Sequence, residues 1–563
     1  MRLQIEQPYI GAMIERFPEL ASLTEQLNFG NHVIVALEQL NPDSLSYLHN
    51  LYQDAGHDNR AAQVATLRQA INDEGERFGE QDLEPLLGAL AEYLVSDAIH
   101  GWLFQANMAG RPMPYLVSRL DYTPPSEEEA GRIFVELKAN TLGKVVTETL
   151  LIRSRDLNKQ TVSEILANKG FLKETPALIA RFDEAMARFY DWRSRYGAQF
   201  TGRGVGYFAE DPNATHRSTD WSRKKSVVLS TSGGWTRLVN DEEIIKDRAL
   251  ANDATGHFLD KFIRKAGKSS LYDDAIHERV EACKERIPAD TFITQPVHPF
   301  IFIFHLELHH HLWVHVEDIK PYAYQPELKE KLVLPPSQTD LIDILTAEMD
   351  VLMDDIVEGK SGGTTVLCAG PPGVGKTLTA EVYSEIIKRP LYRVHSGQLG
   401  LNVAEMEKSL KDILTRAQRW GAVMLIDEAD VYIKRRDDNI EMNAVVGVFL
   451  RVLEYFNGLL FLTTNRVDDI DEAIVSRCIA LIKYHPPKGE DRNRIWQVMC
   501  EQFSLEVDSP TIDQLIATFP DASGRDIKGL AKLVAKFCAQ KQLTPTLEVF
   551  KRCAIFRGME VDE

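Results

Sequence analysis

The chain has 563 residues, too many for one compact core, and this length predicts three or four domains of ordinary size. Apolar residues make up 44% and charged residues 26% of the sequence, a balance that excludes the disordered and fibrous classes. The formal net charge of -19 disfavours a sequence-independent grip on nucleic acid, although a local basic groove stays open.

The apolar runs and the cysteines predict neither a membrane protein nor a disulfide-stabilised one. No stretch approaches the roughly 18 consecutive apolar residues that span a bilayer, and the start of the chain lacks the basic and apolar regions of a signal peptide. The cysteines are scattered and show no C-x-x-C pair, which indicates neither a disulfide framework nor a zinc site. We therefore expect a cytoplasmic protein that makes no membrane contact.

The first two regions are predicted to be mostly helical and then mixed. Residues 1–160 are expected to form a mostly α-helical N-terminal domain, because segments such as LEPLLGALAEYLVSDAIHGWLF repeat apolar residues at steps of three and four. Residues 161–330 are expected to form an α+β domain. Helical patterns broken at Gly170 and Pro176 are followed there by short β-prone runs, and PFIFIFHLELHHHLWVHVED alternates Phe and Ile like a strand.

A cluster of four prolines between residues 321 and 336 marks the next boundary, because each proline removes a backbone donor and disfavours helix before it. Strand and helix patterns then alternate over residues 331–487, which predicts a mostly parallel sheet covered on both faces. Residues 488–563 show helical patterns alone and are expected to form a small helical lid domain. The predicted fold class is therefore α/β, preceded by a mixed α+β region.

The segment GPPGVGKT fits the phosphate-binding (Walker A) pattern G-x-x-x-x-G-K-[ST] and directly follows the apolar strand VLCA. Glycines in this context let backbone N–H groups cradle phosphate oxygens, while the next helix directs its positive end at the anion. Lys376 is expected to bridge the β- and γ-phosphates of ATP, and the Thr377 hydroxyl to ligate Mg²⁺. The expected nucleotide contacts are Gly370, Pro371, Pro372, Gly373, Val374, Gly375, Lys376, Thr377 and Leu378.

About fifty residues later, the apolar strand AVMLI ends in Asp427 and Glu428, a Walker B pattern that predicts carboxylates beside the phosphate loop. Asp427 is suited to hold Mg²⁺ and Glu428 to polarise the attacking water. The alternative is an acidic strand end without catalytic function. The letters DEAD also match a helicase motif, but the sequence lacks the second tandem core that a helicase needs.

From about Leu334 onward the sequence resembles the AAA+ ATPases of the P-loop NTPase class, and it also resembles a poorly characterised subgroup of bacteria and fungi within that family. LLFLTTNR resembles the family's sensor-1 strand, which implies that Asn465 orients the lytic water. DIDEAIVSRC resembles the region of the arginine finger, which implies that Arg477 acts on a neighbour's nucleotide. SGRDIKGLAKLV resembles the sensor-2 helix, which implies a contact from Arg525 to the γ-phosphate.

The resemblance implies a homo-oligomeric ring, expected to be a hexamer, that hydrolyses ATP to ADP and phosphate and remodels a protein client. A nucleotide-switched assembly scaffold or sensor, for example in defence, stays open. A clamp-loader-like motor on nucleic acid also stays open, because Ser476-Arg477-Cys478 is similar to that version of the finger. One departure concerns the central loop: members that thread proteins carry an aromatic-glycine pair there, whereas residues 398–402 are QLGLN.

Two further patterns each allow a binding site or simple packing. His309 and His311 share one face of a predicted strand and are candidates for a metal site, against a packed or solvated β-hairpin. Residues 188–225 interleave aromatic and cationic side chains, as stacking platforms for nucleic acid do, against the alternative that the aromatic residues form core.

Overall fold

The fold was analysed in a computed structural model of the chain. It describes residues 2–29, 32–71, 75–105, 111, 113–127, 129–141, 144–209, 225–230, 234–242, 257–269, 272–288, 290–347, 363–399, 402–436 and 440–559.

The chain begins with a small two-stranded antiparallel sheet against which three helices pack. The strands pair Arg2 with Ala36 and Glu6 with His32. Leu45, Leu48 and Leu67 from the helices are buried against Ile5 and Val35. A fourth helix follows and joins the next core. The elements are β1 (Arg2–Glu6), α1 (Gln7–Arg16), β2 (His32–Ala36), α2 (Pro42–Asp54), α3 (Asp58–Ile71) and α4 (Leu83–Val95).

A five-stranded antiparallel sheet comes next, in the order β6-β5-β4-β3-β7. Its elements are β3 (Trp102–Gln105), β4 (Pro114–Thr123), β5 (Arg132–Thr141), β6 (Lys144–Arg153), α5 (Val162–Asn168) and β7 (Phe171–Lys173). The prediction of a mostly α-helical region over residues 1–160 is therefore wrong for the four strands β3 to β6. The reason is the period of the apolar residues: Ile133, Val135 and Leu137 alternate along β5 and bury one face, as a strand requires.

A seven-stranded antiparallel sheet completes the N-terminal region, in the order β10-β9-β13-β12-β11-β8-β14. The Phe and Ile alternation was predicted to be a strand and forms the hairpin β12–β13, in which Phe300 faces His315 and His305 faces His310. The elements are α6 (Pro176–Arg193), β8 (Gln199–Gly202), β9 (Val205–Phe208), β10 (Ser226–Val228), β11 (Thr236–Asn240), α7 (Phe258–Ala266), α8 (Asp274–Lys284), β12 (Phe300–His305), β13 (His310–His315) and β14 (Ile319–Pro321).

Three histidines of this region are buried: His298, His305 and His315. Burial lowers the pKa of His298 to about 4 and lowers the pKa values of His305 and His315 as well. The ring of His298 bonds through Nε2 to the carbonyl oxygen of Pro114 at 2.7 Å. These rings are therefore neutral members of the core.

The two candidate metal ligands diverge. His311 Nε2 lies 2.8 Å from Asp241 Oδ2, whereas the His309 ring packs against Tyr392. No group of three or more His, Cys, Asp or Glu side chains is arranged for a metal ion in the part of the chain that the structure describes. The hairpin is therefore packed, and the proposed histidine metal site is not supported.

The aromatic and cationic stretch 188–225 belongs in part to the core. Phe189 on α6 and Phe200 on β8 are buried in one hydrophobic core. Tyr190 is exposed, and the later cluster of Trp221, Arg223 and Lys224 lies outside the described residues. The alternative of core packing therefore holds for the buried aromatic residues.

The second half of the chain is built on a five-stranded parallel sheet in the order β16-β17-β18-β15-β19, followed by four helices. Strands β17 and β18 are buried along their whole length, as strands covered on both faces are. The predicted α/β fold class is confirmed. The sheet region contains α9 (Pro336–Ala347), β15 (Thr364–Ala369), α10 (Lys376–Ile386), β16 (Leu391–His395), α11 (Ser396–Leu399), α12 (Val403–Arg419), β17 (Val423–Asp427), α13 (Asp430–Ile433), α14 (Ile440–Leu453), β18 (Leu459–Thr464), α15 (Glu472–Arg477) and β19 (Ala480–Lys483). The lid contains α16 (Gly489–Gln502), α17 (Ser509–Thr518), α18 (Gly524–Lys541) and α19 (Leu547–Ile555).

The antiparallel region and the parallel-sheet region meet at two buried carboxylates. Asp241, next to the end of β11, accepts hydrogen bonds from Trp420 Nε1 at 2.9 Å and Arg419 Nη2 at 3.0 Å at the end of α12. Glu385, near the end of α10, accepts from Tyr322 Oη at 2.6 Å and from Arg237 Nη2 on β11 at 3.0 Å. Strand β11 and the residue that follows it thus contact two helices of the other region.

The three boundaries between the four predicted domains remain predictions. The five-stranded sheet crosses the boundary placed at residue 160, because β7 pairs with β3. Among the described residues, no helix is both long enough and apolar enough to cross a lipid bilayer.

Candidate nucleotide-binding site

The segment with the phosphate-binding pattern forms a turn between a buried strand and a helix. Strand β15 ends at Ala369, and α10 begins at Lys376. Gly373 and Gly375 have φ values of 83° and 100°, in the left-handed region that favours glycine. The helix N-terminus therefore opens toward this loop, the arrangement that attracts phosphate.

The phosphate loop is in close contact with the lid. A Cβ atom placed on Gly373 would lie 2.8 Å from Ser523 Oγ and 2.9 Å from Arg525 Cβ. The backbone N–H of Arg525 donates to the carbonyl oxygen of Gly373 at 3.3 Å. The N-terminus of α18 thus rests on the loop, and the predicted contact residue Arg525 lies at this junction.

Lys376 is buried and points along the phosphate loop. Its Nζ donates to the carbonyl oxygens of Gly370 and Pro371, both at 2.7 Å, and to Asn465 Oδ1 at 3.0 Å. Burial lowers the pKa of Lys376, and the nearby charge of Asp427 opposes this effect. The structure therefore brings Asn465 to the lysine, although the two residues lie far apart in the sequence.

Asp427 ends β17 and collects three donors. The hydroxyl of Thr377 donates to its Oδ1 at 3.1 Å, the hydroxyl of Thr463 to the same oxygen at 2.5 Å, and Arg393 Nη2 to Oδ2 at 2.5 Å. Burial alone would raise the pKa of Asp427, but the hydroxyl of Thr463, the charge of Arg393 and the hydroxyl of Thr377 together lower it. The carboxylate is thus held in its charged form.

The pair of Thr377 and Asp427 fits a magnesium ion. A hydroxyl oxygen and a carboxylate oxygen lie side by side, and these are the hard oxygen ligands that Mg²⁺ takes when it is bound with a phosphate. The predicted metal ligands are therefore adjacent in the fold.

Glu428 follows Asp427 with an exposed side chain and a φ of 56°, which is unusual for a residue other than glycine. Its backbone N–H donates to Thr463 Oγ1 at 3.0 Å. This conformation costs on the order of 1–3 kcal/mol and turns the carboxylate away from the core. The predicted catalytic glutamate is therefore exposed at the carboxyl end of strand β17.

Arg477 lies on α15 at the surface, where its guanidinium pairs with Glu454. Its Nη1 also donates to the carbonyl oxygen of Ala473 at 3.2 Å. Within the described residues, it makes no hydrogen bond to the phosphate loop or to Asp427 of its own chain. The role of Arg477 as an arginine finger stays a prediction.

The central-loop segment is only partly described. Leu399 is 2% exposed and belongs to the core of the parallel sheet, while Gly400 and Leu401 lie outside the described residues. Leu399 is therefore unavailable to grip a threaded chain in this conformation.

Sequence reasoning missed three residues of the site. Thr463 bonds to Asp427 and Glu428, Arg393 pairs with Asp427, and the side chain of Asp430 bonds to Thr464. Thr463 lies in strand β18, two residues before Asn465, so the sensor-1 pattern could have pointed to it. Arg393 gave none, because it lies on a different strand, and its proximity depends on the pairing of β16 with β17.

Comparison with known proteins supports this interpretation. The model of the family described as "ATPase family associated with various cellular activities (AAA)" matches residues 366–485. A protein of Methanothermobacter thermautotrophicus, named provisionally as a 26S proteasome regulatory subunit homolog, is 31% identical over 172 residues, which cover 29% of this chain and 46% of the relative. Proteasome-activating nucleotidase 2 of Haloferax volcanii is 29% identical over 185 residues, which cover 31% of this chain and 45% of the relative.

One solved structure similar to this chain is the FIGL-1 AAA domain in complex with ADP. It aligns with a TM-score of 0.34 at 20% identity and covers 42% of this chain and 86% of that chain. The present chain spans about half the length, or less, of the curated relatives that it matches.

Proposed function

Because residues 366–485 form an AAA ATPase domain, we propose that the chain binds ATP with Mg²⁺ and hydrolyses it to ADP and phosphate. The observation that carries this proposal is the junction of the Thr377 hydroxyl with Asp427, 3.1 Å apart, beside the buried ammonium of Lys376. A bound magnesium ion supplies positive charge that stabilises the phosphoryl oxygens during transfer.

The residues of the chain divide this work. The backbone N–H groups of the loop and the N-terminus of α10 bind the phosphates, and Lys376 exchanges its carbonyl partners for phosphate oxygens. Glu428 accepts the proton of the attacking water, and Asn465, which already bonds to Lys376, orients that water. Arg525 reaches the γ-phosphate from the lid, which rests on Gly373.

We further propose that the active form is a homo-oligomeric ring, with six subunits as the expected number, in which Arg477 completes the site of a neighbour. The support is the surface position of Arg477 on α15. Its ion pair with Glu454 is exposed and therefore weak, so a nucleotide phosphate in a neighbouring subunit can replace it.

The ring would transmit hydrolysis to a protein partner. The antiparallel region, which contacts α10 through Glu385 and α12 through Asp241, is positioned to receive motion from the ATPase domain. Two relatives carry names that refer to the proteasome, which favours a protein client over nucleic acid.

A second candidate is a nucleotide-switched scaffold whose hydrolysis resets an assembly. It is favoured by the central segment, in which Leu399 is buried and the sequence QLGLN supplies no aromatic residue. A scaffold needs ATP-dependent assembly and a partner, but it needs no threading.

The substitution Glu428→Gln tests the catalytic assignment. We expect the variant to bind ATP as the native chain does and to lose at least roughly 100-fold in turnover. Glu490→Gln, an exposed change at the start of α16, is the matched control and should keep native turnover. Hydrolysis by Glu428→Gln at the native rate would contradict the role of Glu428.

Proteins that co-purify with the ATP-loaded Glu428→Gln variant separate the two candidates. A remodelling enzyme should retain a client that the native chain releases on hydrolysis and that is altered in conformation or assembly by native turnover. A scaffold should retain its partner unchanged, and native turnover should only release it.

Subunit mixing tests the shared site. A Lys376→Ala subunit lacks its own nucleotide contact but keeps Arg477, whereas an Arg477→Ala subunit keeps its loop. Mixed rings should recover part of the ATPase activity that each variant lacks alone. Recovery at no mixing ratio would contradict a finger that acts between subunits.

A further inference from the structure

The guanidinium of Arg393 lies between two carboxylates. On strand β16, its Nη2 is 2.5 Å from Asp427 Oδ2 and its Nη1 is 3.6 Å from Glu381 Oε1. The Asp427 side chain is 8% exposed and that of Glu381 is 42% exposed. Arg393 therefore has one close, buried partner and one distant, half-exposed partner.

Arg393 is incompletely bonded where it now lies. Its Nε is buried and meets no hydrogen-bond acceptor within the described parts of the chain. A guanidinium carries five donors in a planar fork and can exchange one carboxylate for another by a small rotation. Glu381 is the neighbouring acceptor for such a change.

Asp427 is also the carboxylate assigned to magnesium. Arg393 takes one oxygen of Asp427, while Thr377 bonds to the other. A divalent cation and a guanidinium at one carboxylate repel each other, and this repulsion is strong in a partly buried site. The two cations therefore compete for Asp427.

We propose that Arg393 is a positioning residue that holds Asp427 while no divalent cation is bound and moves to Glu381 when Mg²⁺ binds Asp427. This inference rests on the proposed function, because it needs Asp427 to be a magnesium ligand. It assigns to Arg393 a role set by metal occupancy, separate from contact with substrate.

The move would also change the charge beside the antiparallel region. Glu381 and Glu385 lie one turn apart on α10, and residues with this spacing share a helix face. Glu385 is the buried partner of Arg237 on β11. When Arg393 reaches Glu381, two arginines face neighbouring carboxylates of one helix. Metal occupancy would thereby change the charge close to Arg237 on β11.

The test measures ADP affinity twice, in excess Mg²⁺ and in EDTA, and takes the ratio as the metal linkage. Arg393→Gln removes the cation that competes with Mg²⁺, so the linkage should rise roughly threefold to tenfold. Arg393→Lys keeps the charge and should stay near the native ratio. Arg389→Gln is the matched control. Arg389 precedes β16 and donates to the carbonyl oxygen of Gly421, so this substitution should leave the ratio unchanged.

A decrease of the linkage in Arg393→Gln, or no change, would overturn the competition. A purely structural role for Arg393 predicts that decrease, because Asp427 would lose its orientation. The sign of the change therefore separates the two explanations.

Glu381→Gln tests the destination of Arg393. Without the second carboxylate, the linkage should fall in the native background and stay constant in the Arg393→Gln background, because Glu381 acts through Arg393. An equal fall in both backgrounds would mean that Glu381 acts on the metal by its charge alone and would overturn the transfer.

The same measurements distinguish failure of this inference from failure of the proposed function. If the native chain binds ADP with no dependence on Mg²⁺, or does not bind it, the proposed nucleotide and metal site fails. If native binding depends on Mg²⁺ and the Arg393 variants behave as the native chain does, the inference alone fails.

Discussion

The two halves of the molecule differ in the charge state of two sets of buried side chains, the phosphate-loop residues and the core histidines. In the parallel-sheet half, Lys376 and Asp427 are buried at one sheet edge and Asp427 is held charged. In the antiparallel half, His298 and His315 are buried within the fold and burial holds them neutral. The charges of Lys376 and Asp427 lie where a charged ligand would bind, whereas the neutral histidine rings are part of the packing.

The largest effect is expected at the buried charge of the parallel-sheet half. Lys376→Ala removes a charged donor that no other group of the loop replaces, and we expect ATP affinity to fall at least roughly 100-fold, about 3 kcal/mol. Equilibrium binding of a fluorescent ATP analogue checks this. Lys408→Ala on α12 is the control, since Lys408 is exposed. Equal losses of ATP affinity in both variants would contradict the role of the buried Lys376 charge.

The second effect concerns the neutral histidines of the antiparallel half. The folded pKa of His298 is about 4, below the ordinary value of 6.5, so the unfolded chain binds more protons between these values. The contribution of His298 to the free energy of unfolding should therefore be fully present above about pH 6.5 and should be lost as the pH falls toward about 4. One such histidine accounts for about 2 kcal/mol between about pH 7.5 and about pH 5.

Hydrogen exchange resolved by region, corrected for the intrinsic rate at each pH, measures this difference. Strands β12 and β13 should lose protection at the lower pH, while β17 and β18 should keep more of theirs. His298→Gln should flatten the dependence. Equal losses in both sheets would show that the comparison between the halves does not extend to stability.

The third effect is expected where the halves meet. Asp241→Asn replaces the charged partner of Arg419 and Trp420 by a neutral one, and we expect the junction to lose about 1–2 kcal/mol. Calorimetry should then separate the unfolding of the two halves into distinct transitions. Asp191→Asn, an exposed change in α6, is the control, and a single unchanged transition in Asp241→Asn would contradict the role of this junction.

The smallest effect is expected at the surface of the parallel-sheet half. Glu454→Gln removes the exposed partner of Arg477, and the free energy of unfolding should change by less than about 1 kcal/mol. Urea unfolding checks this value. A loss several times larger would assign Arg477 a structural role in place of the proposed one.

The sequence predicted the parallel-sheet half well because its signals are local. The phosphate loop is a contiguous segment with fixed glycine positions, and Asp427 ends an apolar strand, so the pattern and the geometry coincide. The resemblance to AAA+ ATPases is confirmed by the family match over residues 366–485. The roles assigned to the site residues all stay predictions, those of Glu428 and Asp427 as well as those of Asn465, Arg477 and Arg525.

The antiparallel half was predicted less well because its signals are nonlocal. Strands β3 to β6 follow a segment with a helical pattern in the sequence. Their sheet is completed by β7, which pairs with β3 although many residues separate the two strands. Arg393 shows the same limit within the site: its contact with Asp427 depends on the register between two strands that are separated by α12. Contacts of this kind depend on topology, which no short segment encodes.

The missing side chain at Gly373 has a mechanical consequence. The start of α18 lies so close to the loop at Gly373 that even a methyl group there would collide with it. The lid and the loop are therefore in direct contact at this point. A shift of the loop toward the start of α18 would therefore press directly on the lid. We therefore expect the position of the lid to depend on the conformation of the phosphate loop.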